Sequence, residues 1–130
     1  MLTAVPACTL VFKSQLQMIL PEDAAVKAVA EAMFDPFEYL MARHKDGLLK
    51  RDFATPLGKV SYHIPCHSRV QNIGQKTREV LQWIPGTTAN TVERCAGHTG
   101  TWGYLTGNSE PSMNIGSHVL RPVARDASRS

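Results

Sequence analysis

Apolar and polar positions alternate in two different rhythms along this chain. Residues 2 to 7, "LTAVPA", read as a short strand running into Cys8, after which Leu10, Val11, Ser14 and Met18 recur at helical spacing. Pro21 stops that segment and presets the next: "PEDAAVKAVAEAMF" opens with proline and acids beside the positive end of a helix over about 22 to 33. "DPFE" repeats the device, with Asp35 as N-cap, Pro36 at the first helical position and Glu38 completing a capping box. That helix is expected to end at Gly47.

The rhythm then shortens. "PLGKVSYHIP" reads as a turn followed by a strand from Lys59 to His63, closed by Pro65. Val80, Leu81 and Ile84 form one helical stripe within residues 75 to 84, Pro85 and Gly86 end it, and "NTVER" reads as the next strand. Strand, long crossover helix and strand make a parallel unit. The expected fold class is therefore α/β, a small parallel-rich sheet with flanking helices and its cysteine loops at the carboxyl ends of the strands, where open α/β sheets hold ligands. A last helix runs through Met113, Ile115 and Val119 and is expected to fray past about residue 124.

Composition narrows the function classes. A chain of 130 residues with 43% apolar and 19% charged positions has the size and balance of one folded domain. Its net charge of +3 is spread over both signs, apart from "KDGLLKR" and the terminal "RPVARDASRS", and no aromatics are interleaved. A nucleic-acid partner is therefore not expected. No run reaches the roughly 18 to 20 apolar residues of a membrane span, and the start lacks a signal-peptide pattern. Both point to the cytoplasm. Three widely spaced cysteines there suit metal binding, redox chemistry or plain burial better than a disulfide framework.

Five candidate ligands fall into two clusters. His63, Cys66 and His67 crowd one strand end, and Cys95 and His98 occupy the glycine-rich "ERCAGHTGTWG". His-x-x-Cys with Cys-x-x-His can make a tetrahedral zinc site that staples two loops. Gly97, Gly100 and Gly103 would equally let backbone approach a cofactor, with N–H groups donating to anionic sulfur. G-x-x-G-x-x-G is not the dinucleotide fingerprint, and a cysteine nucleophile paired with His98 or His63 lacks an orienting third group. The plainer expectations are a buried Cys8 at a strand–helix junction, His63 or His67 capping a turn, and Trp102 as a packing lid. Arg69, Arg94 and Lys76 would either offset thiolate charge or be solvated. His44 and His118 sit in helical surface contexts.

"YHIPCHSRVQNIGQKTREVLQWIPG" followed by "VERCAGHTGTWG" resembles the cysteine-rich CCG domain of iron–sulfur oxidoreductases. That family includes iron–sulfur components of heterodisulfide reductase and of glycolate oxidase, and the likeness is strongest to its branch serving anaerobic glycerol-3-phosphate oxidation. In that family a first cysteine, a central Cys-Cys-Gly and a terminal Cys-x-x-Cys hold a 4Fe–4S cluster that passes electrons towards a quinone or disulfide. The resemblance implies that Cys66 is the first ligand and Cys95 the first cysteine of the central motif, with Ala96 in place of the second and Gly97 completing it. Cys8 matches the last cysteine of a preceding repeat.

The same resemblance divides the chain into residues 1–20, the end of one repeat, and 21–130, a second repeat lacking its Cys-x-x-Cys, so the chain is expected to be a fragment. It implies an electron-transfer subunit rather than a complete enzyme. Its implied partners are a flavin dehydrogenase subunit and a membrane quinone-linked complex, placing the protein peripherally at the inner face of the membrane. Cluster contacts would fall to Cys66, Cys95, Gly97 and Gly100, and further metal ligands to Cys8, His63, His67 and His98. The alternatives are a zinc-binding or a metal-free interaction module, and an unpaired sheet edge makes self-association an expectation.

Overall fold

The computed structural model describes residues 1–98 and 100–127. In chain order the elements are α1 (Pro6–Leu10), a π-helical turn (Val11–Gln15), α2 (Leu16–Ile19), α3 (Ala24–Ala32), α4 (Pro36–Lys45), β1 (Gly58–His63), α5 (Cys66–Val70), α6 (Gly74–Gln82), β2 (Thr87–Val92), a 3₁₀ turn (Trp102–Tyr104) and α7 (Ser109–Ala127). They form two compact units: Met1–Asp52 with His67–Val80, and Phe53–Cys66 with the chain from Leu81 onwards.

In the first unit, Pro6 at the first helical position starts α1 with φ already set. The expected strand before it shrinks to one parallel bridge between Leu2 and Phe34. The helix then continues through the π turn, where the Gln17 side chain donates to the Lys13 carbonyl at 2.9 Å and so supplies an extra donor at the irregular turn. Its half-buried positions from Leu10 onwards are Leu10, Val11, Lys13, Leu16 and Gln17. The expected stripe holds at Leu10 and Val11 but not at Ser14, which is exposed, or at Met18, which is 79% exposed. The reason is Lys13: its ammonium meets Glu38 at 2.7 Å and lies 5.7 Å from the centre of the Phe34 ring, so a charged residue lays its alkyl stem along the inward face.

Asp23 and Asp35 cap α3 and α4, each accepting from two backbone N–H groups through Oδ1. The return arm of the capping box at α4 is not what Glu38 makes. Its carboxylate instead takes Lys13 and, at 3.3 Å, Lys76. At the other end Gly47 N–H donates to the His44 carbonyl and Leu48 N–H to that of Arg43, a Schellman closure with Gly47 at φ +69°. Met33, Ala30, Ile73 and Val80 are buried in this unit together with Thr9, Ser68 and Thr77.

The second unit is built on the parallel pair β1 and β2, in register from Gly58 opposite Thr87 to His63 opposite Val92. The α/β class with a two-stranded parallel sheet and flanking helices agrees with the sequence reading. Two details differ. β2 begins three residues before the expected "NTVER", because Thr87 is already held opposite Gly58 and its hydroxyl accepts from Leu57 N–H at 3.0 Å. The crossover also carries an additional short helix, α5, ahead of α6. α7 packs on β1 and buries Val119 to 1% exposure. It runs through Pro122 to Ala127, so the expected fraying past 124 is not seen up to that point, and residues 128–130 lie outside the described residues.

Candidate functional site

Both strand ends lead into cysteines by the same number of residues. His63 and Val92 are the last register partners of the sheet; Cys66 follows the first and Cys95 the second, each after two intervening residues. Parallel register thus brings the two cysteine loops to one edge of the sheet, as the sequence pattern predicts. Hydrogen bonds among the described residues knit this edge. Ile64 N–H donates to the Val92 carbonyl at 3.0 Å. The His63 ring, through Nε2, donates to the Arg94 carbonyl at 2.8 Å, which ties the loop of Cys66 to the loop of Cys95. In this arrangement a metal bond to His63 falls to Nδ1.

Cys66 opens α5 and is half-buried; Cys95 is exposed. The Cys95 Sγ accepts the backbone N–H of Gly97 at 3.4 Å, an N–H to sulfur contact of the kind that tunes cluster sulfurs. Gly97 holds φ at +73°, and a Cβ there would overlap the Ser112 carbonyl oxygen, while one at Gly116 would sit 2.7 Å from the Ala96 carbonyl oxygen. Loop and helix therefore meet backbone to backbone. Ser112 completes the clamp by donating from Oγ to the Gly97 carbonyl at 2.9 Å. Gly100 is exposed with φ +52°.

His98 turns towards Tyr104, with Nε2 at 3.1 Å from the phenol oxygen and the two rings edge to face at 5.1 Å. Trp102, 37% exposed, belongs to the 3₁₀ turn just ahead of that tyrosine. His67 is exposed on α5, and its carbonyl accepts from the Gln71 amide at 2.6 Å. The same amide nitrogen donates to the Pro6 carbonyl at 2.8 Å. Cys8 lies inside α1 and is exposed rather than buried at a strand–helix junction, because the helix begins before it and turns its side chain outward. Lys76 is engaged by Glu38. Ser112 and Gln71 were not singled out from the sequence, since their partners Gly97 and Pro6 are distant along the chain; Tyr104 was missed although His98 is six residues away, because no regular spacing sets that pairing.

The chain's own donors do not make a full shell for a four-iron cluster. Such clusters are held by four thiolates, and the sequence contains three cysteines. Among the described residues, no three His, Cys, Asp or Glu side chains converge into a metal-holding group.

The fold and this edge define a small α/β unit with two cysteine loops set side by side by parallel strands. Over 66 residues, half of its length, the chain is 35% identical to the C subunit of anaerobic glycerol-3-phosphate dehydrogenase from Escherichia coli strain K12. The same identity over the same length holds for the corresponding protein of Escherichia coli O157:H7. The match spans 17% of the length of these curated relatives. No family model matches the chain, and no solved structure matches it.

Proposed function

We propose that the chain belongs to an electron-transfer subunit of an oxidoreductase, akin to the C subunit of anaerobic glycerol-3-phosphate dehydrogenase that half of it resembles. Cys66 and Cys95 supply two thiolates to a 4Fe–4S cluster, and the remaining ligands come from another polypeptide segment or a partner subunit. The observation that carries this reading is the equal offset of the two cysteines beyond register-paired strand ends. The N–H of Gly97 directed at the Cys95 sulfur supports it, because backbone donors to sulfur are among the contacts that tune iron–sulfur clusters. Electrons enter from a flavin dehydrogenase subunit and leave towards a membrane quinone. The protein sits at the cytoplasmic face through these partners; among the described residues no helix is long and apolar enough to cross a membrane.

The test is anaerobic purification of the chain together with a flavin dehydrogenase partner, after iron and sulfide loading. A broad violet absorption bleached by dithionite is expected. Cys66→Ser and Cys95→Ser should each lower bound iron by more than half. Colourless protein carrying stoichiometric zinc would replace this reading with a structural-zinc one, and metal-free protein would leave an interaction module.

A further inference from the structure

Beside the cysteine edge, and independent of any metal there, the second unit holds a preformed pocket of about 380 Å³. That volume lies at the lower end of the roughly 300 to 1,000 Å³ typical of small-molecule sites. Ala96, Gly103 and Gly116 give it small-residue surfaces, Met113 and Leu120 give it apolar side chains, and His98 and Tyr104 add a polar pair. The backbones behind it are held together, since loop and α7 approach at van der Waals limits where Gly97, Gly103 and Gly116 leave no room for a Cβ, while the side chains of Tyr104, Met113 and Leu120 stand open to solvent.

We infer that this pocket binds a small, uncharged aromatic alcohol. Among the described residues its lining includes no Asp, Glu, Lys or Arg, so nothing there would compensate a ligand charge. The small-residue wall of Ala96, Gly103 and Gly116 leaves width for a flat ring, and the Met113 thioether is a favourable neighbour for one. The hydroxyl follows from the His98–Tyr104 pair. If the phenol donates to His98, its oxygen remains an acceptor; if the imidazole donates, the phenol hydrogen is free to donate. An alcohol, which does both, is satisfied in either tautomer.

The experiment is a titration of the full chain with 2-naphthol, and in parallel with naphthalene, followed by amide chemical shifts. Saturable shifts centred on Ala96, His98, Gly103 and Tyr104 and on α7 from Ser109 to Leu120 are expected. Met113→Trp, which fills the pocket from an exposed position, should weaken 2-naphthol at least tenfold with the circular dichroism unchanged. Leu120→Glu is the second variant and should do the same by placing a charge in the lining. Tyr104→Phe should weaken 2-naphthol by about three- to tenfold, the worth of one hydrogen bond, and leave naphthalene unaffected. Shifts that fail to saturate, or that centre on the exposed Phe12, Met18 and Ile19, would overturn the site. Equal losses for both probes in Tyr104→Phe would overturn the alcohol.

Discussion

Glu38 shows how one side chain can answer two opposed forces. Burial pushes its carboxyl pKa up, but the hydrogen bond and charge of Lys13, joined by the charge of Lys76, outweigh this and hold it below the ordinary 4.5. A lowered folded-state pKa means the unfolded chain takes up protons first. The stabilisation is therefore complete above about pH 4.5 and is lost as the pH falls through the lower folded value. Urea midpoints measured from neutral pH into the acid range should drop more steeply for the parent than for Glu38→Gln. At Gly97 the constraint is steric. Gly97→Ala places a Cβ against the Ser112 carbonyl at positive φ, and should lower unfolding free energy by at least about 1–3 kcal/mol. Denaturant titration checks this, with loss of the Ser112 clamp visible in the chemical shifts of residue 97 and Ser112.

At the scale of elements, local signals and distant ones separate clearly. The Asp35 cap and Pro36 were legible because an N-cap bonds only to the next few residues, whereas the preceding helix starts at Ala24 rather than about 22, with Asp23 as a cap the sequence reading took only for a favourable acid. Asp35 is 6% exposed, so Asp35→Ala should cost about 1–2 kcal/mol, whereas Asp23→Ala, at an exposed helix start, should cost about 0.5–1 kcal/mol. Thermal melts of the two variants would rank them. Capping-box pairing failed as an expectation because Glu38 had better partners elsewhere, two ammonium groups far along the chain. The start of β2 was misplaced for a similar reason: Thr87 and Thr88 become strand by pairing with Gly58 and Lys59, not by their own hydropathy. The far end of the first stripe, Ser14 and Met18, was misread because Lys13 occupies the inward face there.

For the molecule as a whole, the sheet has two strands among the described residues, so each keeps one edge without a strand neighbour. Parallel pairs of this size are rarely sufficient alone. Sedimentation velocity should reveal concentration-dependent association of the isolated chain, and a single monomeric species at high concentration would refute it. Co-production with a partner subunit should suppress that association if the partner covers the edge.

The order of residues alone determined the parallel unit and the position of both cysteine loops beyond strand ends. Hydrophobic rhythm, proline placement and loop length are short-range quantities, and a strand's direction through a crossover follows from them. Tertiary structure decided which donors met. It turned His63 to the Arg94 carbonyl and His98 to Tyr104, bent the Cys95 loop onto α7, and left Cys8 facing solvent. Those outcomes depend on which groups approach within hydrogen-bond distance after the chain has folded, and no local spacing encodes that.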